Sequence, residues 1–240
     1  MKAIVTAAGL GTRFAPVTKV VPKEMLPIGA KPALELVVEE AFDAGADEVI
    51  AVISREKELI RRYFEGDERI SFVYQEEQKG LGHAVLQART DDDVLILLGD
   101  ALIPGENVSR RLSEIYHKNG RCSVIGLERV DSKLVSRYGV VKPVWCGDDR
   151  QVVISDIVEK PPVDKAPSDI VVGGRYLLSG EIFDILEDLE PSLNGEIQLT
   201  DAIRVLIGKG VVRGYVYPSK RQDIGNPDGY YAALTAYRGL

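Results

Sequence analysis

Cysteine is scarce in this 240-residue chain, which has only Cys122 and Cys146. They lack both metal-ligand spacing and a partner histidine, so a disulfide framework or zinc site is excluded, and two free thiols in a reducing compartment are expected. Long apolar runs are missing too, since no stretch approaches the roughly 18 residues that span a bilayer. Positive charge is in deficit: 30 Lys and Arg against 37 Asp and Glu leave a formal charge of −7. That balance argues against a general binder of nucleic acid or anionic membrane, whose affinity rests on clustered Lys and Arg. The opening apolar run is too short for a signal peptide and ends in glycines, so a soluble cytoplasmic protein is expected. There is no internal repeat, low-complexity linker or block of like charge.

An apolar fraction of 45% is ordinary and sufficient for a core. The length suits one large α/β domain covering 1–240. Strand-like runs at Lys2–Thr6, Glu48–Ile53, Ile70–Tyr74, Val94–Leu98 and Ser123–Leu127 alternate with helical patterns at Pro32–Ala44, Lys57–Phe64, Ala84–Arg89 and Val108–His117. Alternation of this kind predicts a Rossmann-like, mostly parallel sheet flanked by helices on both faces. Ligands of such sheets bind beyond the carboxyl ends of the strands.

After about residue 130 the pattern loosens. Strands are expected at Tyr138–Val144, Val153–Val158, Ile170–Leu178 and Val211–Tyr217, with a turn-rich stretch at Gly147–Arg150. Helices are expected at Glu181–Leu189, Ile197–Ile207 and Tyr230–Tyr237. These added strands and helices should extend the first sheet and wall a substrate, giving a nucleotide-binding half of about 1–130 and a second half of about 131–240.

The first strand runs straight into Ala7-Ala8-Gly9-Leu10-Gly11-Thr12-Arg13, followed by Pro22-Lys23-Glu24-Met25-Leu26-Pro27. Small residues after a strand let a ligand approach the backbone, and their amides can bind phosphate. Arg13 and Lys23 add fixed positive charge beside that loop. The loop is not a dinucleotide fingerprint, because Phe14 stands at the third glycine position and the second strand runs into Ser54-Arg55 with no acidic ribose partner. Nor is it a P-loop, since no Gly-Lys-Ser/Thr follows.

Asp100 ends a strand at the ligand edge, and a carboxylate there suits Mg²⁺, which takes one or two carboxylates together with phosphate oxygens and water. Alone it reads equally well as a helix cap or turn residue, and Asp223 in Arg221-Gln222-Asp223-Ile224-Gly225-Asn226, taken alone, reads more readily as a turn residue. Gln75 ends another strand before Lys79-Gly80-Leu81-Gly82-His83, and its amide can donate and accept along a base edge. His83 is expected to cap or pack its helix, and His117 to sit on a polar helix end. A third group comprises Tyr138-Gly139-Val140-Val141, Val158-Glu159-Lys160-Pro161 and Val172-Gly173-Gly174. Glu159 could accept sugar hydroxyls, Lys160 could hold a phosphate, and Gly139 and Gly174 could let a ring lie on the backbone.

Together these blocks resemble the signature of sugar-nucleotide pyrophosphorylases, and most closely the bacterial-type UTP–glucose-1-phosphate uridylyltransferases. The opening block carries the superfamily, while Pro22–Pro27 and Glu196-Ile197-Gln198-Leu199-Thr200-Asp201-Ala202-Ile203 favour the uridylyl branch. The resemblance implies that Ala8, Gly9 and Gly11 contact the nucleotide, with Glu24, Gln75 and Gly80 around uracil and ribose. It implies Arg13 on the triphosphate, Lys23 at the α-phosphate, and Asp100 and Asp223 on Mg²⁺. Gly139, Glu159, Val172 and Gly174 would line the glucose pocket, with Lys160 on the sugar phosphate. It further implies UTP and glucose 1-phosphate as substrates and a dimer or tetramer as the assembly.

Gly99-Asp100 replaces the Pro-Asp frequent in this family while keeping the carboxylate. The chain is also shorter than typical members between Ile53 and Gln75 and around Cys146–Val152. The nearest rival is the same chemistry on dTTP or another sugar phosphate. A non-catalytic binding module would be expected to lack one or more of Arg13, Lys23, Asp100, Lys160 and Asp223, and all five are present.

Overall fold

Nine strands form one sheet in the computed structural model, which describes residues 1–147, 150–192 and 195–238. In chain order they are β1 (Lys2–Thr6), β2 (Glu48–Ile53), β3 (Ile70–Tyr74), β4 (Val94–Leu98), β5 (Val124–Arg129), β6 (Gly139–Trp145), β7 (Gln151–Glu159), β8 (Ile170–Leu178) and β9 (Arg213–Val216). Their spatial order is β3-β2-β1-β4-β8-β5-β9-β7-β6. The first four are parallel, as the strand–helix alternation predicts. β8 runs against both β4 and β5, and β7 against β6 and β9, while β9 is parallel to β5.

The second half therefore extends the first sheet, as expected, but two of its strands, β8 and β7, run against the rest. A single pair, Val171 with Val140, then joins β6 back to β8 and closes β8-β5-β9-β7-β6 into a ring. The turn expected at Gly147–Arg150 falls partly on 148–149, outside the described residues.

Helices cover both faces. They are α1 (Ala33–Asp43), α2 (Glu58–Tyr63), α3 (Gly80–Leu86), α4 (Val108–Lys118), α5 (Glu181–Asp188), α6 (Leu199–Lys209) and α7 (Pro227–Ala236). Side chains alternate across the sheet with period 2. Leu95 and Leu97 join the core beneath α1 and α4, whereas Val94 and Ile96 join that beneath α3, α5 and α6. α4 and α7 begin at side-chain caps: Asn107 Oδ1 accepts from the Arg110 amide at 2.8 Å, and Asn226 Oδ1 from the Gly229 amide at 3.0 Å.

α3 begins at Gly80, four residues before its expected start. The Gly82 amide donates to Ile197 O at 2.9 Å and the Ile197 amide to Lys79 O at 2.8 Å, so tertiary bonding offsets glycine's poor helix propensity. Among the described residues no helix is long and apolar enough to cross a membrane.

Candidate active site

The carboxyl ends of β1, β3 and β4 open onto a cleft of ≈ 320 Å³ lined by Ala8, Gly9, Lys23, Glu24, Gln75, Gly80 and Asp100, among others. Ala8, Gly9, Glu24, Gln75 and Gly80, all nucleotide candidates, thus share one cavity with Lys23 and Asp100. Gly11 lies outside this lining, in an adjoining pocket of ≈ 230 Å³ with Thr18, Lys19 and again Lys23.

Asp100 and Asp223, from the middle and the last part of the chain, are brought together by a small antiparallel ladder. Asp223 pairs with Ala101 and Gln222 with Leu102, and the Ile224 amide donates to Asp100 O at 2.9 Å. Gly225 marks where their side chains meet. A β-carbon there would fall 2.7 Å from Asp223 Oδ1, 2.8 Å from Arg13 Nη2 and 3.5 Å from Asp100 Oδ2.

Lys23 donates to the Asp100 carboxylate and stands 3.7 Å from Glu24. Burial lowers the Lys23 pKa, but Asp100, Glu24 and Asp223 outweigh it and raise the group above its ordinary value. Burial likewise pushes the Asp100 carboxyl up, yet Lys23, Arg221 and Lys57 together hold it below the usual carboxylate range. Both groups are therefore charged at neutral pH. Among the described residues no cluster of three or more His, Cys, Asp or Glu could hold a metal. A divalent cation here would have two carboxylates and would complete its shell with phosphate oxygens and water, the donor set that suits Mg²⁺.

Several neighbours were not legible as site residues. Lys57, from the charged run Ser54–Lys57, is buried and donates to Ala7 O at 2.7 Å and to both Glu24 oxygens at 2.8 and 2.9 Å. Burial pushes its pKa down and Lys23 adds to this, against the pull of Glu24. Gln78 Nε2 donates to Ala8 O at 3.1 Å. Arg175, fully buried in β8, grips Glu40 at 2.7 Å and the Ala101 carbonyl at 2.7 Å, which fixes the turn that carries Asp100.

Glu24, expected around uracil and ribose, has its carboxylate tied to Lys57 while still lining the cleft. Gln75, expected both to donate and to accept at a base edge, spends its Nε2 on Gly80 O and His83 Nδ1, each at 3.1 Å. Gly80 has a left-handed φ of +93°, and a β-carbon there would press on Ile197 O at 2.7 Å. Glu196-Ile197 thus anchors the loop that follows Gln75.

The third group gathers where β6, β7 and α6 meet. Thr200 Oγ1 donates to Glu159 Oε2 at 2.7 Å, and Lys160 Nζ lies 3.3 Å from Glu159 Oε1. Lys160 has a φ of +42°, and its amide bonds to Tyr138 O at 3.0 Å. A β-carbon on Gly139 would meet Thr200 Oγ1 at 3.0 Å, so the protein's own Glu159–Thr200 pair already explains that glycine. Gly174 is left-handed at an irregularity of β8, and its side-chain direction points at Leu98 and Ala101. Val172 is buried, and its carbonyl accepts from Arg221 at 3.2 Å. Arg221 also lies 3.6 Å from Glu128 and against the Tyr138 ring. Cys122 and Cys146 are both free thiols.

A parallel strand edge with two carboxylates meeting beside Gly225 and a buried lysine suits a phosphate-handling transferase. Residues 2–239 match the model of the family described as Nucleotidyl transferase, and the chain belongs to that family. UTP–glucose-1-phosphate uridylyltransferase 2 of Staphylococcus saprophyticus is 37% identical over 98% of this chain and 91% of its own length. The UTP–glucose-1-phosphate uridylyltransferase of Bacillus subtilis is 38% identical over 95% of this chain and 88% of its own. Among solved structures, a UDP-glucose pyrophosphorylase complexed with UDP-glucose superposes with a TM-score of 0.91 at 36% identity, covering 98% of this chain and 97% of that one. A UTP-bound enzyme from Acinetobacter baumannii gives 0.88 at 34% identity, over 98% and 92%.

Proposed function

We propose that this nucleotidyl transferase is a UTP–glucose-1-phosphate uridylyltransferase, converting UTP and α-D-glucose 1-phosphate to UDP-glucose and pyrophosphate. The convergence of Arg13, Asp100 and Asp223 on the space beside Gly225, with Lys23 paired to Asp100, carries the reading. The substrates of the relatives support the choice of pair. A sugar-phosphate oxygen attacks the α-phosphorus in line, its new P–O bond replacing the bond to the departing pyrophosphate. The nucleophile is already an anion, so no general base is needed, and the task is to bring two polyanions together and offset their charge.

Ala8, Gly9 and Gly11 would bind the nucleotide, Arg13 the triphosphate and Lys23 the α-phosphate, with Glu24, Gln75 and Gly80 flanking the base and ribose. Gly139, Glu159, Val172 and Gly174 would form the sugar side, where Thr200 orients Glu159, and Lys160 would take the sugar phosphate. Asp100 and Asp223 would hold Mg²⁺, which supplies further positive charge to the phosphates when bound. Residues 1–130 and 131–240 then act as nucleotide and sugar halves of one domain. The reading carries with it a cytoplasmic homo-oligomer, dimer or tetramer, whose size sedimentation would measure.

The test is pyrophosphate release across a panel of nucleoside triphosphates and sugar phosphates. UTP with glucose 1-phosphate and Mg²⁺ should be the preferred set, and activity with dTTP but not UTP would overturn the pair. Asp100→Ala should abolish metal-dependent turnover in a folded protein, and undiminished turnover would remove Asp100 from the metal site.

A further inference from the structure

Neither Phe14 nor Tyr230 lines the cleft, yet their rings meet next to Arg13. We propose that Phe14 and Tyr230 are positioning residues that set Arg13 on the β- and γ-phosphates of the nucleotide, by docking the stretch that carries Arg13 onto α7. The proposal rests on the nucleotide reading of the cleft and adds to it what holds one of its cations in place.

Arg13 stands on a stretch with little hold on the body of the protein. No residue from 9 to 21 is buried, and Leu10 and Val20 are 60% and 81% exposed. Among the described residues, every hydrogen bond made by residues 9–21 closes within that stretch, as in the Phe14 amide and Thr18 Oγ1, which both donate to Gly11 O at 3.0 Å. The Arg13 side chain makes neither a hydrogen bond nor an ion pair with the described residues, so its place depends on the backbone beneath it. What ties that backbone down is an edge-to-face contact. Phe14, next to Arg13, meets the Tyr230 ring with centroids 5.9 Å apart and planes at 83°.

Tyr230 is itself well held. Its hydroxyl donates to Pro27 O at 2.9 Å, and α7, which carries it, starts hard against Asp223. A β-carbon on Gly229 would fall 1.9 Å from Asp223 O, and Asn226 Nδ2 donates to that same carbonyl at 3.2 Å. The Phe14 ring is thus docked on the element packed against Asp223, which accounts for Arg13 Nη2 reaching the space beside Gly225 that Asp223 and Asp100 share. A leucine in place of either ring would keep an apolar contact but lose the angular preference of an edge-to-face pair.

The test measures binding of UTP and of UMP by titration calorimetry in the presence of Mg²⁺, because UMP lacks the phosphates that the proposal gives to Arg13. Phe14→Leu and Tyr230→Leu should weaken UTP binding roughly three- to tenfold, the range for loss of an edge-to-face pair, and leave UMP within about twofold of the parent. Tyr230→Phe keeps the ring and should hold both affinities within about twofold. In an Arg13→Ala background Phe14→Leu should cost less than about twofold, since residues that act through one contact are not additive. A folded Phe14→Leu variant with the parental UTP affinity would overturn the proposal and leave the UTP reading standing. An equal loss for UTP and UMP, or an undiminished loss in the Arg13→Ala background, would reduce the ring pair to packing and overturn it as well. A parent protein that binds UMP as tightly as UTP would instead overturn the nucleotide reading, which puts Arg13 on the triphosphate. Phe14 is not buried, so Phe14→Leu carries the test should Tyr230→Leu fail to fold.

Discussion

The buried ion pair between Lys57 and Glu24 makes a prediction that can be worked through. Lys57 Nζ sits 2.8 and 2.9 Å from the two Glu24 oxygens, and their side chains are 7% and 1% exposed. Lys57→Met would strand the Glu24 charge away from water. Breaking a buried pair from one side costs about 3–5 kcal/mol, and the lower figure applies here because Lys23 stands 3.7 Å from Glu24 and takes up part of the charge. For a chain of this size about 3 kcal/mol lowers Tm by roughly 6–12 °C. Lys57→Met combined with Glu24→Gln removes both charges and should recover to within about 1 kcal/mol of the parent, since replacing a whole buried pair is often near neutral. The double variant should still have a raised KM for UTP, because Ala7 O at the start of the phosphate loop loses its 2.7 Å bond. Urea unfolding and calorimetry on the parent and three variants complete the cycle. A single Lys variant as stable as the parent, or a double variant as unstable as the sum of the singles, would refute the reasoning.

Thr200→Val should free Glu159 and raise KM for the sugar phosphate several-fold while KM for UTP holds, as steady-state kinetics would show. Gly82→Ala would drive a methyl to within 2.8 Å of Ile197 O and of Leu186, costing about 1–3 kcal/mol by urea unfolding, and an unaltered midpoint would contradict that packing. Tyr63, hydrogen-bonded to Glu35, has its phenol pushed up to about 12 by that bond and by burial. Its folded pKa lies above the unfolded value of about 10, so its stabilisation is intact below pH 10 and is lost as pH rises toward 12. In tyrosinate absorbance titrations Glu35→Gln should move one phenol back toward 10.

Much of the fold and part of the site were legible because their signals are local. Apolar runs separated by amphipathic stretches mark β1–β4 and their helices, and the glycines of Gly9–Arg13 mark a loop at the strand ends by composition alone. Lys57 was illegible for a physical reason. In Ser54-Arg55-Glu56-Lys57 it reads as one more solvated charge, and only the fold reveals that Glu24 waits for it in the interior. Arg175 with Glu40, and Thr200 with Glu159, are likewise long-range matches between residues whose neighbours in sequence carry no trace of the pairing. The reversal of β7 and β8 escaped notice because alternating apolar residues define a strand without giving its direction. Gln75 shows the opposite case: its position at the end of a strand was legible, but the contacts of its Nε2 with Gly80 O and His83 Nδ1 are visible only in the fold.

The two-residue ladder that sets Asp223 beside Asp100 makes completion of the chain a condition for chemistry. Glu196, which lines the cleft, and Ile197, which anchors the Gly80 loop, also come late in the chain. The strands β1–β4 alone therefore make an unfinished cleft, and the last part of the chain completes both its wall and its pair of carboxylates.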